Sequence, residues 1–382
     1  MTHLKQRVDR ARALCDPVPD AFLFESGGHG WTDPNFGYVT GVEAGLLSGA
    51  TVLLRPGERA AMVVSRMEAE SAEDACARSA GEGSAGARRG TGVEIIVTRT
   101  RREHDQAVVD ALTRFERVGY NPHGLSAARF RALSTMLPGI GWVDVSQAFL
   151  RARLVKTPDE IERMRDAARI TAETMADVPS MLVEGMRERD LAAELNLRLH
   201  RRGASRTAFD TIVAFGRSAS EPHHLSGDVA LADGCLVLVD MGAVHRGYSA
   251  DCTRTFAFGR VGDTETRMHA VVAEAHEAAL AALGAGRPAR AVHEAAEQVI
   301  QQSEFRDRFV HAVGHSVGIE AQDGWVLHGH AEFVVEPGMV FAVEPGVYVP
   351  GTGGVRIEDT VGVTGAGVER WTDVPYGLTG AV

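Results

Sequence analysis

Acidic and imidazole side chains recur at the ends of apolar, strand-like segments in the second half of the sequence. Asp240 ends the run LVLVD, and Asp251 follows it across a turn. Glu344 stands in FAVEPG, Glu358 stands in VRIEDT, and His315 lies among the glycines of HAVGHSVG. Carboxylates can bridge two hard divalent cations, and a histidine nitrogen is a borderline partner for such ions. The set is therefore a candidate site for two divalent metal ions.

The spacing of these residues favours convergence but leaves structural alternatives open. Asp240 and Asp251 have the separation of a hairpin whose two arms bring both carboxylates to one place. Taken singly, an Asp at a strand end is ordinarily a turn or cap residue, and a Glu before Pro often ends a surface strand. A His among glycines is ordinarily a loop residue. Because a buried acid is costly unless it is paired or metal-bound, the recurrence of acids in separate apolar strands favours the metal site.

The composition restricts the class of partner. The chain has 382 residues, a net charge of -11, 45% hydrophobic residues and 24% charged residues. This charge argues against nucleic acid or an anionic membrane surface as the main partner, since both require clustered Lys and Arg. The first residues lack the apolar core of a secretory signal, and no window resembles a membrane helix. Scattered cysteines without C-x-x-C pairing are typical of reduced thiols, so we expect a cytoplasmic protein.

The elements that must position the acids predict two domains, residues 1–154 and residues 155–382. The first alternates short strands, from AFLFES to RVGYN, with helical stretches, which is typical of an α/β domain. Within it, residues 77–92 are rich in Gly, Ala and Arg and predict a mobile surface loop, with an active-site flap as the alternative. The second combines helices with strands such as CLVLVDMGAV and CTRTFAFG, which predicts an α+β domain with a largely antiparallel sheet. Its first helix is predicted to begin at Thr157-Pro158-Asp159-Glu160, where Thr157 is the N-cap and Glu160 completes a capping box.

The segments DMGAVHRGYSADCTRTF, GHSVG, EPGVY and GVRIEDT stand in the order of the motifs of the pita-bread (M24) metallopeptidase family. The second domain resembles that family along its whole length. The first domain is similar to the creatinase-like N-terminal domain of the aminopeptidase P and prolidase branch. Its segment DPNFGYVTGVEAG resembles a substrate-facing strand of that branch. The resemblance implies a pita-bread catalytic domain after a smaller α/β domain, and a homodimer.

The resemblance also assigns roles to individual residues. By position, the metal ligands of the family fall on a set of five residues: Asp240, Asp251, His315, Glu344 and Glu358. It implies two Mn²⁺ ions, with Co²⁺, Zn²⁺ or Fe²⁺ as alternatives, that activate a water for attack on an amide carbon. Glu344 would accept the proton of that water.

Other motif positions imply contacts with the substrate. His223 matches a histidine near the leaving group, and His311 matches one that binds the substrate carbonyl. For both, the alternative is a structural histidine, and His224 is expected to be incidental. Arg356 resembles an arginine that neutralises the carboxylates, which would otherwise repel one another.

One position departs from the peptidase pattern. Gln322 stands where the peptidases carry a histidine that helps to stabilise the tetrahedral intermediate. Glutamine can donate a hydrogen bond, but it cannot relay a proton. The first expectation is an Xaa-Pro peptidase acting on small peptides. The alternative, which Gln322 motivates, is a metal-retaining enzyme that hydrolyses a C–N bond of a small molecule or catalyses an elimination. A non-catalytic binding protein is a third, disfavoured by the complete ligand set.

Overall fold

The computed structural model describes residues 2–27, 33–43, 45–55, 58–79, 93–378 and 380–381. Contacts within the chain separate two compact units, Met1–Arg153 and Leu154–Val382. The expectation that residues 1–154 and residues 155–382 are two separate domains stays a prediction. Among the described residues, no helix has the length and apolar character needed to cross a membrane.

The first unit is built on a six-stranded mixed sheet, ordered β4-β3-β2-β1-β5-β6 in the described residues. Its strands are β1 (Ala21–Glu25), β2 (Thr51–Leu54), β3 (Ala60–Ser65), β4 (Val93–Thr98), β5 (Arg117–Tyr120) and β6 (Gly141–Asp144). Its helices are α1 (Thr2–Ala13), α2 (Pro34–Thr40), α3 (Ala69–Ser79), α4 (Arg101–Leu112), α5 (Ala127–Met136) and α6 (Ser146–Leu154). The alternation of strands and helices confirms the α/β pattern expected for this part of the chain.

Two local expectations for this unit need correction. The segment DPNFGYVTGVEAG was expected to contain a strand, but Pro34–Thr40 forms helix α2. Asp33 caps that helix by accepting a hydrogen bond from the main-chain N–H of Asn35, and Gly41 ends it with a φ of 71°. Residues 77–79 of the expected loop belong to α3, and residues 80–92 lie outside the described residues.

The second unit combines helices with antiparallel sheets, which confirms the predicted α+β class. Its helices are α7 (Pro158–Met175), α8 (Val178–Met181), α9 (Glu188–Arg201), α10 (Asp263–Ala282) and α11 (Arg290–Gln301). Its first strands are β7 (Arg206–Thr207), β8 (Ile212–Phe215), β9 (Cys235–Met241), β10 (Ala243–His245), β11 (Tyr248–Ser249) and β12 (Cys252–Phe258). Its remaining strands are β13 (Gly314–Ser316), β14 (Val326–Leu327), β15 (Val340–Val343), β16 (Gly346–Val349), β17 (Gly353–Arg356), β18 (Asp359–Val363), β19 (Val368–Arg370) and β20 (Gly380–Ala381).

Two of these sheets carry the candidate site. One has the order β20-β12-β9-β8 and the other β14-β13-β15-β18-β19, while β16 and β17 form a separate hairpin. A buried apolar cluster packs α10 and α11 against β15, β17 and β18, through residues such as Val272, Phe341 and Val361. A second cluster packs α7 and α9 against β8, β9 and β12. Rigid strands with helices behind them therefore fix the positions of the polar residues at their ends.

The capping box expected at the start of α7 is present. The Thr157 hydroxyl accepts from the N–H of Glu160, and the Glu160 carboxylate accepts from the N–H of Thr157 at 2.7 Å. The same carboxylate accepts a hydrogen bond from the Tyr248 hydroxyl at 2.6 Å. One side chain thus joins the beginning of α7 to β11.

Two glycines allow the β16–β17 hairpin to approach the 3₁₀ turn Gly216–Ser220 closely. A Cβ atom added at Gly354 would lie 2.0 Å from the carbonyl oxygen of Ala219. One added at Gly353 would lie 2.9 Å from the carbonyl oxygen of Gly216. Neither distance leaves room for a side chain, so glycine is required for this contact.

Candidate metal centre and cavity

Antiparallel pairing brings the first two acids to one end of a sheet. Asp240 lies in β9, and its register partner in β12 is Thr253. Asp251 lies immediately before β12, so both carboxylates stand near the same end of this strand pair. His315 lies in β13 of the neighbouring sheet, where its register partner is Ala342 in β15.

The two glutamates were expected inside strands, and the structure corrects this. Glu344 follows β15 and precedes β16, and Glu358 lies between β17 and β18. Each is therefore at a point where the main chain leaves one sheet and enters another. Glu358 is held there by an isolated bridge to Thr253, to whose carbonyl it donates its N–H at 3.0 Å.

The expected ligands converge. Asp251, His315 and Glu358 are buried, and each offers one ligand atom within 4.8 Å of the others. The Nε2 atom of His315 lies 3.4 Å from the Glu344 carboxylate and 3.8 Å from that of Asp251. Asp240 lines the same cavity as these four residues.

The electrostatics of the cluster fit divalent cations. Within the described residues, one carboxylate oxygen of Asp240 and one of Asp251 are buried without a hydrogen-bond partner. Burial, followed by the charges of neighbouring carboxylates, raises the pKa of Asp251 and of Glu358 well above the ordinary range. Burial likewise raises the pKa of Glu344 to about 7. Since buried like charges with unsatisfied oxygens are costly, bound cations would relieve both penalties.

His315 is in the protonation state that binds metal. Burial, foremost, lowers the pKa of His315 below its ordinary value and so favours the neutral ring. Its Nδ1 atom is 3.3 Å from the carbonyl oxygen of Ser316. A neutral imidazole whose Nδ1 carries the proton leaves Nε2 available as a ligand atom.

Arg356 joins the cluster to its surroundings. Its guanidinium donates to the Asp240 carboxylate, to the Thr253 hydroxyl at 3.1 Å and to the Tyr348 hydroxyl at 2.9 Å. It also donates to the carbonyl oxygen of Pro222 at 3.3 Å. A planar group with several donors can hold these acceptors in fixed relative positions, which a lysine could not.

Two residues of this network were not predicted from the sequence. The Thr253 hydroxyl donates to the Glu358 carboxylate at 2.6 Å while it accepts from Arg356. The Tyr348 hydroxyl accepts from Arg356 and lies 2.9 Å from Nε2 of His311. The available signal was their position, because a hydroxyl in a strand of buried residues must find a hydrogen-bond partner.

A fully buried arginine supports the cluster from behind. Arg254 in β12 donates to the main-chain carbonyls of Glu358, Thr372 and Val374 and to the Asp359 carboxylate. Asp359 is held through the same oxygen, Oδ1, which also accepts from the Thr372 hydroxyl at 2.8 Å, so hydrogen bonds help to offset the cost of burying this ion pair. This places a rigid polar core directly beside Glu358.

The remaining predicted residues surround a cavity of about 720 Å³ that opens beside the carboxylates. His223 and Gln322 are exposed on its wall, and His311 is half-buried there. Burial, foremost, lowers the pKa of His311 to about 4, so its ring is neutral. Its two nitrogens face the carbonyl oxygen of Ala312 at 2.7 Å and the Tyr348 hydroxyl. Both nitrogens of His311 therefore have partners within the chain. A direct contact of His311 with a substrate carbonyl stays a prediction.

Known proteins share this architecture. A model of metallopeptidase family M24 matches residues 162–365, and a model of the creatinase/prolidase N-terminal domain matches residues 7–155. The Xaa-Pro dipeptidase of Pyrococcus furiosus is 36% identical over 220 residues. That alignment covers 58% of this chain and 63% of the relative, which is less than two thirds of the relative's length.

Solved structures match over nearly the whole chain. An Xaa-Pro dipeptidase from Bacillus anthracis superposes with a TM-score of 0.86 at 26% identity, covering 98% of this chain and 99% of that one. An X-Pro aminopeptidase from Thermotoga maritima superposes with a TM-score of 0.84 at 26% identity, covering 97% and 99%.

Proposed function

Because this chain belongs to metallopeptidase family M24, we propose that it is a dimetal-dependent hydrolase that cleaves Xaa-Pro peptides. The observation that carries the proposal is the convergence of four carboxylates and one histidine on one cavity. The similar proteins named above include both dipeptidases and an aminopeptidase, so the length of the preferred peptide is left to experiment.

The ligands we assign to the two ions are Asp240, Asp251, His315, Glu344 and Glu358. An oxygen-rich set with one imidazole suits Mn²⁺, and it also accepts Co²⁺, Zn²⁺ or Fe²⁺. When bound, such ions lower the pKa of water and polarise the carbonyl under attack. The unpartnered oxygens of Asp240 and Asp251 support this assignment.

The chain's own groups would perform the proton transfer and the orientation of the substrate. Glu344 borders the cavity, and its carboxylate is the group we assign to accept the proton of the attacking water. A general base is most effective when its pKa is near the working pH. His223 and Gln322, which are exposed on the cavity wall, are assigned to the leaving-group side and to the developing oxyanion.

An activity screen tests the proposal. We expect the manganese-loaded protein to release the N-terminal residue from Xaa-Pro dipeptides or from longer Xaa-Pro peptides, and dialysis against a chelator to abolish release. His315→Ala should reduce kcat/KM by a factor of at least about 10², because one ligand is lost. The matched control is His245→Ala, which removes a histidine outside the cavity lining. If the loaded protein cleaves no peptide of a broad library, the proposal is wrong.

Gln322 supports a second candidate function, the hydrolysis of a small-molecule C–N bond or an elimination at the same metals. The variant Gln322→His separates the two candidates. For a peptidase, the histidine supplies a stronger transition-state donor and should raise kcat on Xaa-Pro peptides by about tenfold or more. A rate that stays low in this variant, together with turnover of an amidine, urea or betaine by the original chain, would favour the second candidate.

We also propose a cytoplasmic homodimer without nucleic-acid or membrane partners. All four cysteines, Cys15, Cys76, Cys235 and Cys252, are free, which supports a reducing compartment. The net charge of -11 disfavours polyanionic partners. Light scattering after size-exclusion chromatography measures the oligomeric state.

A further inference from the structure

A short loop, residues 221–227, borders the cavity, and five consecutive residues of it, from Pro222 to Ser226, line the cavity wall. His223 and Leu225 both line the cavity, and Leu225 is 79% exposed. An exposed loop keeps its side chains in one geometry only if specific contacts offset the loss of conformational entropy. The described structure contains such contacts at both ends of the loop and at its centre.

The central contact is made by a buried carboxylate. Glu188 begins α9, and its side chain is 0% exposed. One carboxylate oxygen accepts from the N–H of Phe215 at 2.9 Å. The other accepts from the N–H of Gly227 at 3.0 Å and lies 2.8 Å from Nε2 of His224. A carboxylate without access to solvent needs such donors, and three of them surround Glu188.

The ends of the loop are fixed by other groups. The carbonyl oxygen of Pro222 accepts from Arg356. At the far end, the Ser226 hydroxyl accepts from the N–H of Val213 at 2.8 Å and donates to the carbonyl of Thr211 at 3.2 Å. Between these anchors stand His223 and Leu225, with His224 between them in the sequence. Among the described contacts, the side-chain hydrogen bond that ties this middle part to another element is the one between His224 and Glu188.

His224 is not placed to act on a substrate itself. Its Nε2 faces Glu188, and its Nδ1 lies 3.1 Å from the carboxylate of Glu221. Both ring nitrogens are therefore engaged by carboxylates. Burial lowers the pKa of His224, but the hydrogen bonds to Glu188 and Glu221 outweigh burial and raise the pKa above its ordinary value. The other charged groups at this end of α9 pair with one another: Arg187, Arg189, Asp190 and Asp228.

We propose that His224 is a positioning residue for substrate binding, which clamps the 221–227 loop to Glu188 and thereby holds His223 and Leu225 against the cavity. The proposal rests on the proposed function, because the bound substrate is the Xaa-Pro peptide. Leu225 then offers an apolar wall to the substrate, and His223 offers a hydrogen-bonding nitrogen beside it.

Kinetics of two variants test the clamp. His224→Ala removes a donor from a buried carboxylate, and we expect KM for an Xaa-Pro peptide to rise by about tenfold with kcat changed less than about threefold. His224→Gln carries an amide donor that can reach Glu188, so it should restore KM to within about twofold of the original. The control is His245→Ala, whose histidine contacts the carbonyl of Gly203 away from this loop.

Hydrogen exchange gives a readout that does not depend on activity. We expect the amides of residues 223–227 to exchange about tenfold faster in His224→Ala than in the original chain, and at the original rate in His224→Gln and His245→Ala. Unchanged exchange and KM in His224→Ala would overturn the proposal. Equal defects in the Ala and Gln variants would also overturn it, since they would show a role for the imidazole beyond donation to Glu188. If no peptide is cleaved at all, the proposed function fails while the exchange result still decides the clamp.

Discussion

The hydroxyl of Thr253 connects two charged groups of opposite sign at the candidate metal centre. It donates to Glu358 and accepts from Arg356, which in turn donates to Asp240. A carboxylate that binds metal is oriented by the groups that hydrogen-bond to it, and their loss weakens the site. At the scale of single residues, the geometry of the ligands thus depends on a side chain that binds no metal.

We therefore expect Thr253→Val to weaken Mn²⁺ binding by about 10- to 100-fold with little change in fold, because valine has nearly the same shape but no hydroxyl. Titration calorimetry with the metal-free protein measures the change. The matched control is Thr255→Val in the same strand, whose hydroxyl bonds only to the main chain of Arg356 in the described contacts. Equal affinities for the two variants would contradict a role for Thr253 in orienting Glu358.

At the scale of elements, Glu160 has a second role besides that of a cap residue. It completes the capping box of α7, and it accepts from Tyr248 in β11. Loss of an N-cap costs about 1 kcal/mol, whereas loss of a buried charged acceptor that also leaves a hydroxyl unpaired costs more.

The expected order of destabilisation follows from these contacts. Thr157→Ala should lower the free energy of unfolding by about 1 kcal/mol. Glu160→Ala should lower it by about 2–4 kcal/mol, since the cap and the Tyr248 contact are both lost. Tyr248→Phe isolates the second contact, and urea denaturation compares all three variants. Similar values for Thr157→Ala and Glu160→Ala would show that the contact with Tyr248 contributes nothing.

The sequence predicts elements best where the signal is local. The start of α7 is encoded within four residues, and the hairpin of Asp240 and Asp251 follows from one turn. Helix α2 also has local signals, the cap residues Asp33-Pro34 and Gly41, and these identify it more directly than the resemblance of this segment to a strand of related domains. Contacts such as that of Thr253 with Glu358 join residues 105 positions apart. Only the register of the folded sheets brings such pairs together, so the sequence alone does not predict them.

At the scale of the whole molecule, the first unit contains its own buried titratable network. The Thr51 hydroxyl donates to Glu25 at 3.1 Å and lies 2.8 Å from Nε2 of His104. Because the hydroxyl proton is directed to Glu25, Nε2 of His104 must be the donor in the second contact. Burial, followed by the charges of Arg101 and Arg129, lowers the pKa of His104 to about 4.

This network predicts how acid affects stability. The folded state protonates His104 near pH 4 and the unfolded state near 6.5, so His104 makes folding less favourable as the pH falls through that window. Asp33 has the opposite sign, because burial raises its pKa to about 6 from 3.8. Comparison with a variant isolates His104: the Tm advantage of the original chain over His104→Gln should shrink between pH 7 and pH 4.5. Calorimetry of the full chain measures it, and a constant difference would contradict the buried neutral histidine.

The close approach of Gly353 and Gly354 to the turn Gly216–Ser220 limits how this sequence can diverge. The hairpin strand leads within two residues to Arg356, and the turn leads directly into the 221–227 loop with His223. A methyl group at position 354 would meet the Ala219 carbonyl and separate the two segments. A substitution of Gly354 would therefore displace Arg356 and His223 relative to one another, although the sequence would still contain every metal ligand.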